Sequence, residues 1–241
     1  MTFDDGYFNN ILAIKILNEY KIPATFFITT KNILSHESFW WDVVFKYRIR
    51  EGITLKKIRE EQSYLKKFKY HFIDNYLIEH FGADATKPWS DIDRPLTIDE
   101  LKIISQDPLV TIGNHTHNHT ILTLYNAEEI TDQFRKSTNS FSEIIGLEPK
   151  FIGFPNGNFN PEILEICKKE GFSIAFSTIK KVNKLPVKSD NTIMNLNRLM
   201  TQTGDITSYG SFDRLGYTAA SLYLNLKRSI NIFKRTFVNL K

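Results

Sequence analysis

Three histidines fall within five residues of one short stretch of the chain. The stretch HTHNH carries His115, His117 and His119, half of the six histidines in the sequence. On a helical turn, residues four apart share a face, so His115 and His119 could hold one metal ion. On an extended strand, all three would point to the same side. The spacing leaves both geometries open, and either one favours a metal site over a solvated polar loop.

The chain begins with a second candidate group, the acid pair of TFDDG. Two adjacent carboxylates repel each other unless a cation or water lies between them. A divalent metal makes the pair useful, because one carboxylate can bind the ion while the other acts as a base toward activated water. Gly6 permits a tight turn that brings Asp4 and Asp5 to one site. With two histidines, the pair predicts a three-ligand hydrolytic metal site with an open position.

A third stretch, FIGFPNGNF, covers residues 151–159. Pro155 and Gly157 impose a turn at the end of a strand, where backbone N–H groups can point into a cleft. Such a donor could stabilise the oxyanion of a tetrahedral intermediate. Taken alone, the stretch is equally an ordinary turn that ends a strand.

The elements that position these stretches follow an alternating order of helix and strand. The run IPATFFITT predicts a buried strand over 24–29, and PLVTIGN predicts the strand that leads into the histidines. TIDELKII begins with a capping box of Thr97 and Glu100, and Asn160 with Pro161 marks another helix start. Helix followed by strand is the repeating unit of a parallel α/β fold.

Composition excludes several classes of protein. The 241 residues fit one α/β or barrel domain, and Cys167, the only cysteine, excludes an internal disulfide and a cysteine-rich zinc site. No run approaches the roughly 20 apolar residues of a membrane span. Six basic and no acidic residues lie between 214 and 241, so the rest of the chain, with 25 basic and 27 acidic residues, is nearly neutral. The body therefore carries no nucleic-acid footprint.

Together the three stretches resemble the polysaccharide deacetylase family, also called the NodB homology or carbohydrate esterase family 4 type. The resemblance rests on TFDDG, ATFFITT, HTHNH and FIGFPNG in this order and covers about residues 2–198. It implies a distorted (β/α) barrel that removes acetyl groups from sugars with a divalent metal, most often zinc, with cobalt as an alternative. It also implies an acetylated carbohydrate as the substrate.

The resemblance assigns a role to individual residues. Asp4 would be the catalytic base, and Asp5, His115 and His119 the metal ligands, with His117 a bystander. Metal-activated water would attack the acetyl carbonyl while Asp4 takes its proton.

In the third motif, Pro155 matches a family proline that borders the substrate site. The backbone N–H of Asn156, where many members place a tyrosine, would be the oxyanion donor.

The sequence departs from the family pattern in three places. Gly153 stands where many members carry an arginine. No histidine follows His119, so the family's late general acid is absent, and the aspartate that tunes that histidine has no counterpart. The leaving amine would take its proton from Asp4, from water or from a substrate group. Arg198 is the late charged residue that we expect to pair with Asp4.

The predicted organisation is a single catalytic domain over residues 1–205, with a helical insertion at about 32–94, and a basic amphipathic tail over 206–241. In the insertion, Trp40 and Trp41 could stack on sugar rings, although packing within the insertion is the more common use of such residues. In the tail, apolar residues at helical spacing between 222 and 240 predict a stripe that could contact an anionic membrane surface or dock on the domain.

The leading hypothesis is a metal-dependent hydrolase that removes N-acetyl groups from an N-acetylhexosamine polysaccharide or its lipid-linked precursor. Alternatives are an O-acetyl esterase or other amide hydrolase on the same scaffold, and a non-catalytic carbohydrate-binding module that keeps the metal. A helical interaction protein would leave both metal motifs unexplained. As written, the chain predicts a location in the cytoplasm or at the inner membrane face. Only Met1, Thr2 and Phe3 precede the acid pair, so we expect a truncated first strand, which could also have removed a signal or anchor.

Overall fold

The computed structural model describes residues 1–181, 183 and 194–198. Two compact units can be recognised. The larger contains residues 1–177 and, in the later part of the chain, 194–196. The smaller unit contains, among the described residues, 178–181, 183, 197 and 198. The predicted amphipathic tail over 206–241 lies outside the described residues.

The larger unit is built on one all-parallel sheet whose six strands follow each other in sequence order. This order, with helices between the first five strands, is that of a (β/α) barrel, and the sheet curls as part of one. The predicted distorted barrel is therefore confirmed. Its strands are β1 (Thr2–Phe3), β2 (Ala24–Ile28), β3 (Val110–Asn114), β4 (Phe151–Gly153), β5 (Ile174–Phe176) and β6 (Met194–Leu196).

Eight helices occur among the described residues, and the two that start after Thr97 and Asn160 begin with the caps that the sequence predicts. Thr97 and Asn126 each form a complete capping box with the glutamate three residues later, and Asn160 accepts from the backbone N–H of Ile163. No described helix is both long and apolar enough to cross a bilayer. The helices are α1 (Ile11–Glu19), α2 (Thr30–Ser35), α3 (Trp40–Arg50), α4 (Leu55–Leu65), α5 (Tyr70–Phe81), α6 (Ile98–Ser105), α7 (Ala127–Ile145) and α8 (Pro161–Lys169).

The outer face of the sheet packs against helices through two apolar clusters. Phe26, Ile28 and Ile112 belong to the cluster that buries α1 and α6. Ile152 and Ala175 belong to the other, which buries α7 and α8 and includes Cys167. Since side chains alternate along a strand, the residues between these positions point to the inner face.

Phe27 fills the inner face of the sheet. It is fully buried and pairs in register with Gly113 on β3, and its ring lies 5.1 Å from that of Phe176 on β5. A Cβ atom at Gly113 would lie 2.5 Å from the Phe27 ring, and one at Gly153 would lie 2.8 Å from it. Two glycines on neighbouring strands therefore make the space that this ring occupies.

Between α2 and α6 the chain forms the predicted helical insertion, which contains α3, α4 and α5. A third apolar cluster holds these helices together, with Val43, Ile58 and Leu77 at its centre. Buried Lys46 donates to Asp93 at 3.0 Å and to the Lys87 carbonyl at 2.8 Å, which fixes the loop after α5. No strand interrupts these helices, because their apolar residues recur at helical spacing.

Several hydrogen bonds join described residues of the smaller unit, among them that from the Lys181 N–H to the Ile179 carbonyl at 2.9 Å. The Asn183 side chain donates to the carbonyl of Asn197 and accepts from its backbone N–H, both at 2.9 Å. The backbone N–H of Arg198 donates to the Ile179 carbonyl at 3.2 Å.

Candidate metal centre

The acid pair lies in a tight turn directly after β1. Asp5 has a φ of 75° and Gly6 a φ of 93°, and the Gly6 N–H donates to the Asp4 carbonyl at 3.0 Å. A Cβ atom on Gly6 would approach Ile28 Cδ1 at 3.2 Å, so both the backbone and the space favour glycine. The Thr29 N–H donates to the Asp5 carbonyl at 3.1 Å and ties this turn to the end of β2.

The histidine stretch is a loop after β3, and it is neither of the two regular geometries that its spacing allows. Thr116 and His119 have φ values of 66° and 53°, whereas residues of an α-helix or a strand have negative φ values. The Asn114 side chain accepts from the Thr116 N–H at 2.7 Å, and the Thr116 hydroxyl accepts from the Thr120 N–H at 3.0 Å. These local hydrogen bonds, and not a regular element, define how the loop folds.

The loop separates His117 from its two neighbours. Its Nδ1 lies 2.8 Å from the Thr30 hydroxyl, and its carbonyl accepts from the Lys31 N–H at 2.9 Å. His117 therefore links the loop to α2 and stands apart from the three-residue group described next.

Asp5, His115 and His119 converge at the carboxyl end of the sheet. Asp5 Oδ1 lies 3.3 Å from His115 Nε2 and 3.1 Å from His119 Nε2, and the ligand atoms of all three residues lie within 4.8 Å of one another. Two ligands of a tetrahedral zinc ion, each bound at about 2.0–2.1 Å, are separated by about 3.3 Å. The donor set of one carboxylate and two imidazoles and the two distances from Asp5 therefore fit such an ion.

The orientation of His115 fits the same interpretation. His115 is almost fully buried, and its Nδ1 lies 2.7 Å from the Gly153 carbonyl, which can only accept a hydrogen bond. Nδ1 must therefore carry a proton, and in the neutral ring Nε2 presents a lone pair to Asp5. A proton or a metal ion between the two groups satisfies both, and this tautomer is the one that second-shell partners fix in metal-binding histidines.

The charges of the group are strongly coupled. Burial would raise the pKa of Asp5, but His119 and His115 hold it well below its usual range. Burial lowers the pKa of both histidines. The hydrogen bond with Asp5 nevertheless raises that of His115 overall, whereas burial prevails at His119. The charge of the Asp4 carboxylate acts to raise the pKa of both imidazoles, so this carboxylate lies beside Asp5, His115 and His119.

The third motif forms a short 3-10 turn, Pro155–Gly157, just after β4. Pro155 is buried, and Asn156 has a φ of 54°. The Asn156 side chain accepts from Lys66 at the end of α4, at 3.2 Å. The turn begins two residues after Gly153, whose carbonyl contacts His115. The oxyanion role of the Asn156 N–H stays a prediction.

The absence of the family's arginine at position 153 has a steric reason. Any side chain there would begin with a Cβ atom 2.8 Å from the Phe27 ring. The inner face of the sheet is thus filled by a phenylalanine from β2 at the place where a long side chain from β4 would have to start.

The two adjacent tryptophans at the start of α3 have different surroundings. Trp40 is buried in the core of the insertion. Trp41 is half-buried, and its ring centroid lies 4.6 Å from that of His119. Arg198 lies in the smaller unit, so its pairing with Asp4 stays a prediction.

Sequence reasoning missed two polar residues near this group. The Tyr7 hydroxyl accepts from Trp41 Nε1 at 2.7 Å and donates to the Asp42 carboxylate. Burial raises the pKa of Asp42 to about 6, and it also raises that of Tyr7. Their positions in the sequence were the available signal, because Tyr7 directly follows Gly6 of the acid-pair turn and Asp42 directly follows Trp41.

Comparison with known proteins places these features in context. The polysaccharide deacetylase family matches residues 1–175. The uncharacterized protein YlxY of Bacillus subtilis (strain 168) is 25% identical over 72 residues, which are 30% of this chain and 23% of that protein. The fold is similar to that of Streptococcus pyogenes deacetylase PplD in complex with acetate, with a TM-score of 0.50, 18% identity, and coverage of 82% of this chain and 62% of that one. It is also similar to a de-N-acetylase from Aggregatibacter actinomycetemcomitans, with a TM-score of 0.51, 20% identity, and coverage of 89% and 73%.

Proposed function

We propose that this chain, which belongs to the polysaccharide deacetylase family, removes N-acetyl groups from an N-acetylhexosamine unit of a polysaccharide or of its lipid-linked precursor. The observation that carries the proposal is the convergence of one carboxylate and two imidazoles beside a second carboxylate. The chain spans 62% of the Streptococcus pyogenes structure, and its match to the Bacillus subtilis protein covers 23% of that protein.

In this proposal Asp5, His115 and His119 hold a divalent metal, most readily zinc, and cobalt as its substitute. Nitrogen and oxygen donors in this number suit zinc, and a fourth position would stay open. When bound, the metal would polarise the acetyl carbonyl and lower the pKa of water.

The remaining steps belong to residues of the chain. Asp4 accepts a proton from the water that attacks the acetyl carbonyl carbon, and the Asn156 N–H stabilises the oxygen of the tetrahedral intermediate. When the C–N bond breaks, acetate is released and the amine takes up a proton. Since no histidine follows His119 in the sequence, Asp4 is the group best placed to return that proton.

The test measures acetate release from N-acetylated and O-acetylated oligosaccharides by metal-stripped protein with zinc or cobalt added back. We expect metal-dependent release from the N-acetylated substrates. Asp4→Asn should lower kcat by about 100-fold or more, the usual contribution of a general base, while metal binding persists. Asp84→Asn, at an exposed carboxylate paired with Lys87, is the matched control and should keep full activity.

The other outcomes identify the competing functions. Faster release from O-acetylated substrates would replace the amidase with an esterase, which needs less protonation of its leaving group. Bound metal with no acetate release from any substrate would favour the carbohydrate-binding module and contradict the proposal of an enzyme.

A further inference from the structure

The two histidine ligands are oriented by different means. His115 has the Gly153 carbonyl at its Nδ1, at 2.7 Å. Within residues 1–181, no hydrogen bond holds the Nδ1 of His119. The backbone of His119 is left-handed, with a φ of 53°. Metal-binding histidines normally have a hydrogen-bond partner at the second ring nitrogen, and that partner fixes the ring. Another contact must orient His119.

The side chain that packs against His119 comes from the insertion and not from the barrel. The Trp41 ring lies 4.6 Å from the His119 ring, with a 60° angle between their planes. Trp41 is in the first turn of α3, whereas Asp5 and the two histidines follow strands β1 and β3. An insertion helix thus forms one wall of the metal group.

Protein contacts fix the indole from several sides. Phe39 stacks on it at 4.8 Å with the planes 16° apart, and Trp40 meets it edge-on at 5.5 Å. Its Nε1 donates to the Tyr7 hydroxyl at 2.7 Å, and that hydroxyl uses its single proton to donate to Asp42. These contacts occupy surface that a sugar ring would need for stacking.

The hydrogen bonds also connect the indole to the ligand turn. Tyr7 is two residues beyond Asp5, and Asp42 is the residue after Trp41 on α3. The chain from Trp41 to Tyr7 to Asp42 therefore closes a link between the Asp5 turn and the helix whose indole contacts His119. Movement of the Asp5 turn or of α3 would therefore disturb both Asp5 and His119.

We infer that Trp41 is a positioning residue for His119, and that Tyr7 and Asp42 hold its indole in place. The inference rests on the proposed metal site and assigns that site a wall from the insertion. The indole orients the His119 ring, as the Gly153 carbonyl orients the His115 ring.

The test titrates metal-stripped protein with cobalt(II) and zinc and records the visible absorption of the cobalt form. Trp41→Ala should raise the dissociation constant about 10-fold, the lower end of the range for lost second-shell partners, and change the cobalt spectrum. Trp41→Phe and Tyr7→Phe should each raise it by less. Tyr7→Phe should add little to Trp41→Ala, because Tyr7 acts through the indole.

Trp89→Phe is the matched control, since Trp89 packs on Tyr47 in the same insertion, and its metal binding should equal that of the parent. Unchanged affinity and cobalt spectrum in folded Trp41→Phe and Tyr7→Phe would overturn the inference and leave the proposed function standing. A raised KM for saccharide with unchanged metal affinity would also overturn it, in favour of sugar stacking. If the parent protein bound neither metal, the proposed metal site itself would fail, and this inference with it.

Discussion

The carboxyl end of the barrel and the helical insertion hold their residues by different physical means. At the barrel end, Asp5, Thr116 and His119 all adopt left-handed backbone conformations, and backbone groups and short polar side chains fix them there. Such conformations carry a cost of order 1–3 kcal/mol each and persist only where the surroundings enforce them. Buried polar residues, among them Asn114 and His115, surround this region.

The insertion depends on side-chain packing. Its core is apolar, with Val43, Ile58 and Leu65 almost fully buried, and its backbone is regular helix. Some of its polar contacts join helices to one another, as in the pairing of Arg48 with Glu61. Changes at the barrel end should therefore affect metal binding first, whereas changes in the insertion should affect stability first. Trp41 contacts His119 and Lys66 contacts Asn156, so both side chains link the two regions.

The largest effect should come from exchanging one histidine of the loop for alanine. His115→Ala removes a ligand, and we expect metal affinity to fall by about 1,000-fold or more, because an incomplete ligand set binds zinc poorly. His117→Ala, two residues away, removes only the contact with Thr30. It should leave metal affinity within a few-fold and lower the free energy of unfolding by about 1 kcal/mol.

Isothermal titration of both variants with zinc provides the measurement. Equal losses of affinity in the two variants would mean that the loop acts as a whole, and that the convergence of His115 and His119 on Asp5 does not define the site.

A smaller effect should distinguish two neighbouring phenylalanines on β2. Phe26→Leu and Phe27→Leu each remove buried carbon atoms and should each lower the free energy of unfolding by about 1–2 kcal/mol. Phe27 lies on the inner face against Gly153, whose carbonyl orients His115, so only Phe27→Leu should also weaken metal binding.

Chemical denaturation with and without zinc measures both quantities. A loss of metal affinity in Phe26→Leu as large as that in Phe27→Leu would show that the site responds to global stability and not to the packing of the inner face.

Much of the fold could be predicted from the sequence because it depends on periodicity and caps. The strand at β2, the capping box at Thr97 and the helix start at Asn160 each follow from a local pattern. The residues of the metal group could be predicted from their types. The geometry of the histidine loop could not, because left-handed residues at 116 and 119 depend on side-chain hydrogen bonds that no spacing reports.

The contacts between distant elements were equally hidden. The fit of Phe27 between Gly113 and Gly153 joins three strands, and a glycine in a sequence does not indicate which ring fills the space above it. Tyr7 and Asp42 are 35 residues apart, so only the packing of α3 against the Asp5 turn brings them together.

The smallest effect should come from an ion pair in the insertion. Burial would raise the pKa of Glu61, but the Arg48 guanidinium, whose Nε lies 2.9 Å away, and the Tyr76 hydroxyl at 2.7 Å hold it below its usual range. A carboxylate with a lowered pKa stabilises the fold above its unfolded-state pKa and loses that contribution as pH falls through the folded value. Glu61→Gln should therefore lower the free energy of unfolding at pH 7 by about 0.5–1 kcal/mol, since solvent screens the pair.

The deficit of Glu61→Gln should shrink as pH falls through the lowered pKa of the folded Glu61 carboxylate, because the parent carboxylate then becomes protonated. Urea denaturation at several pH values measures it, with Glu79→Gln at an exposed position of α5 as the control. Metal affinity should be the same in the parent and both variants. A deficit that stays constant with pH would show that Glu61 acts through packing, and a loss of metal affinity would show that the insertion transmits its stability to the barrel end through α3. That last result would replace the division between the two regions with a single cooperative unit.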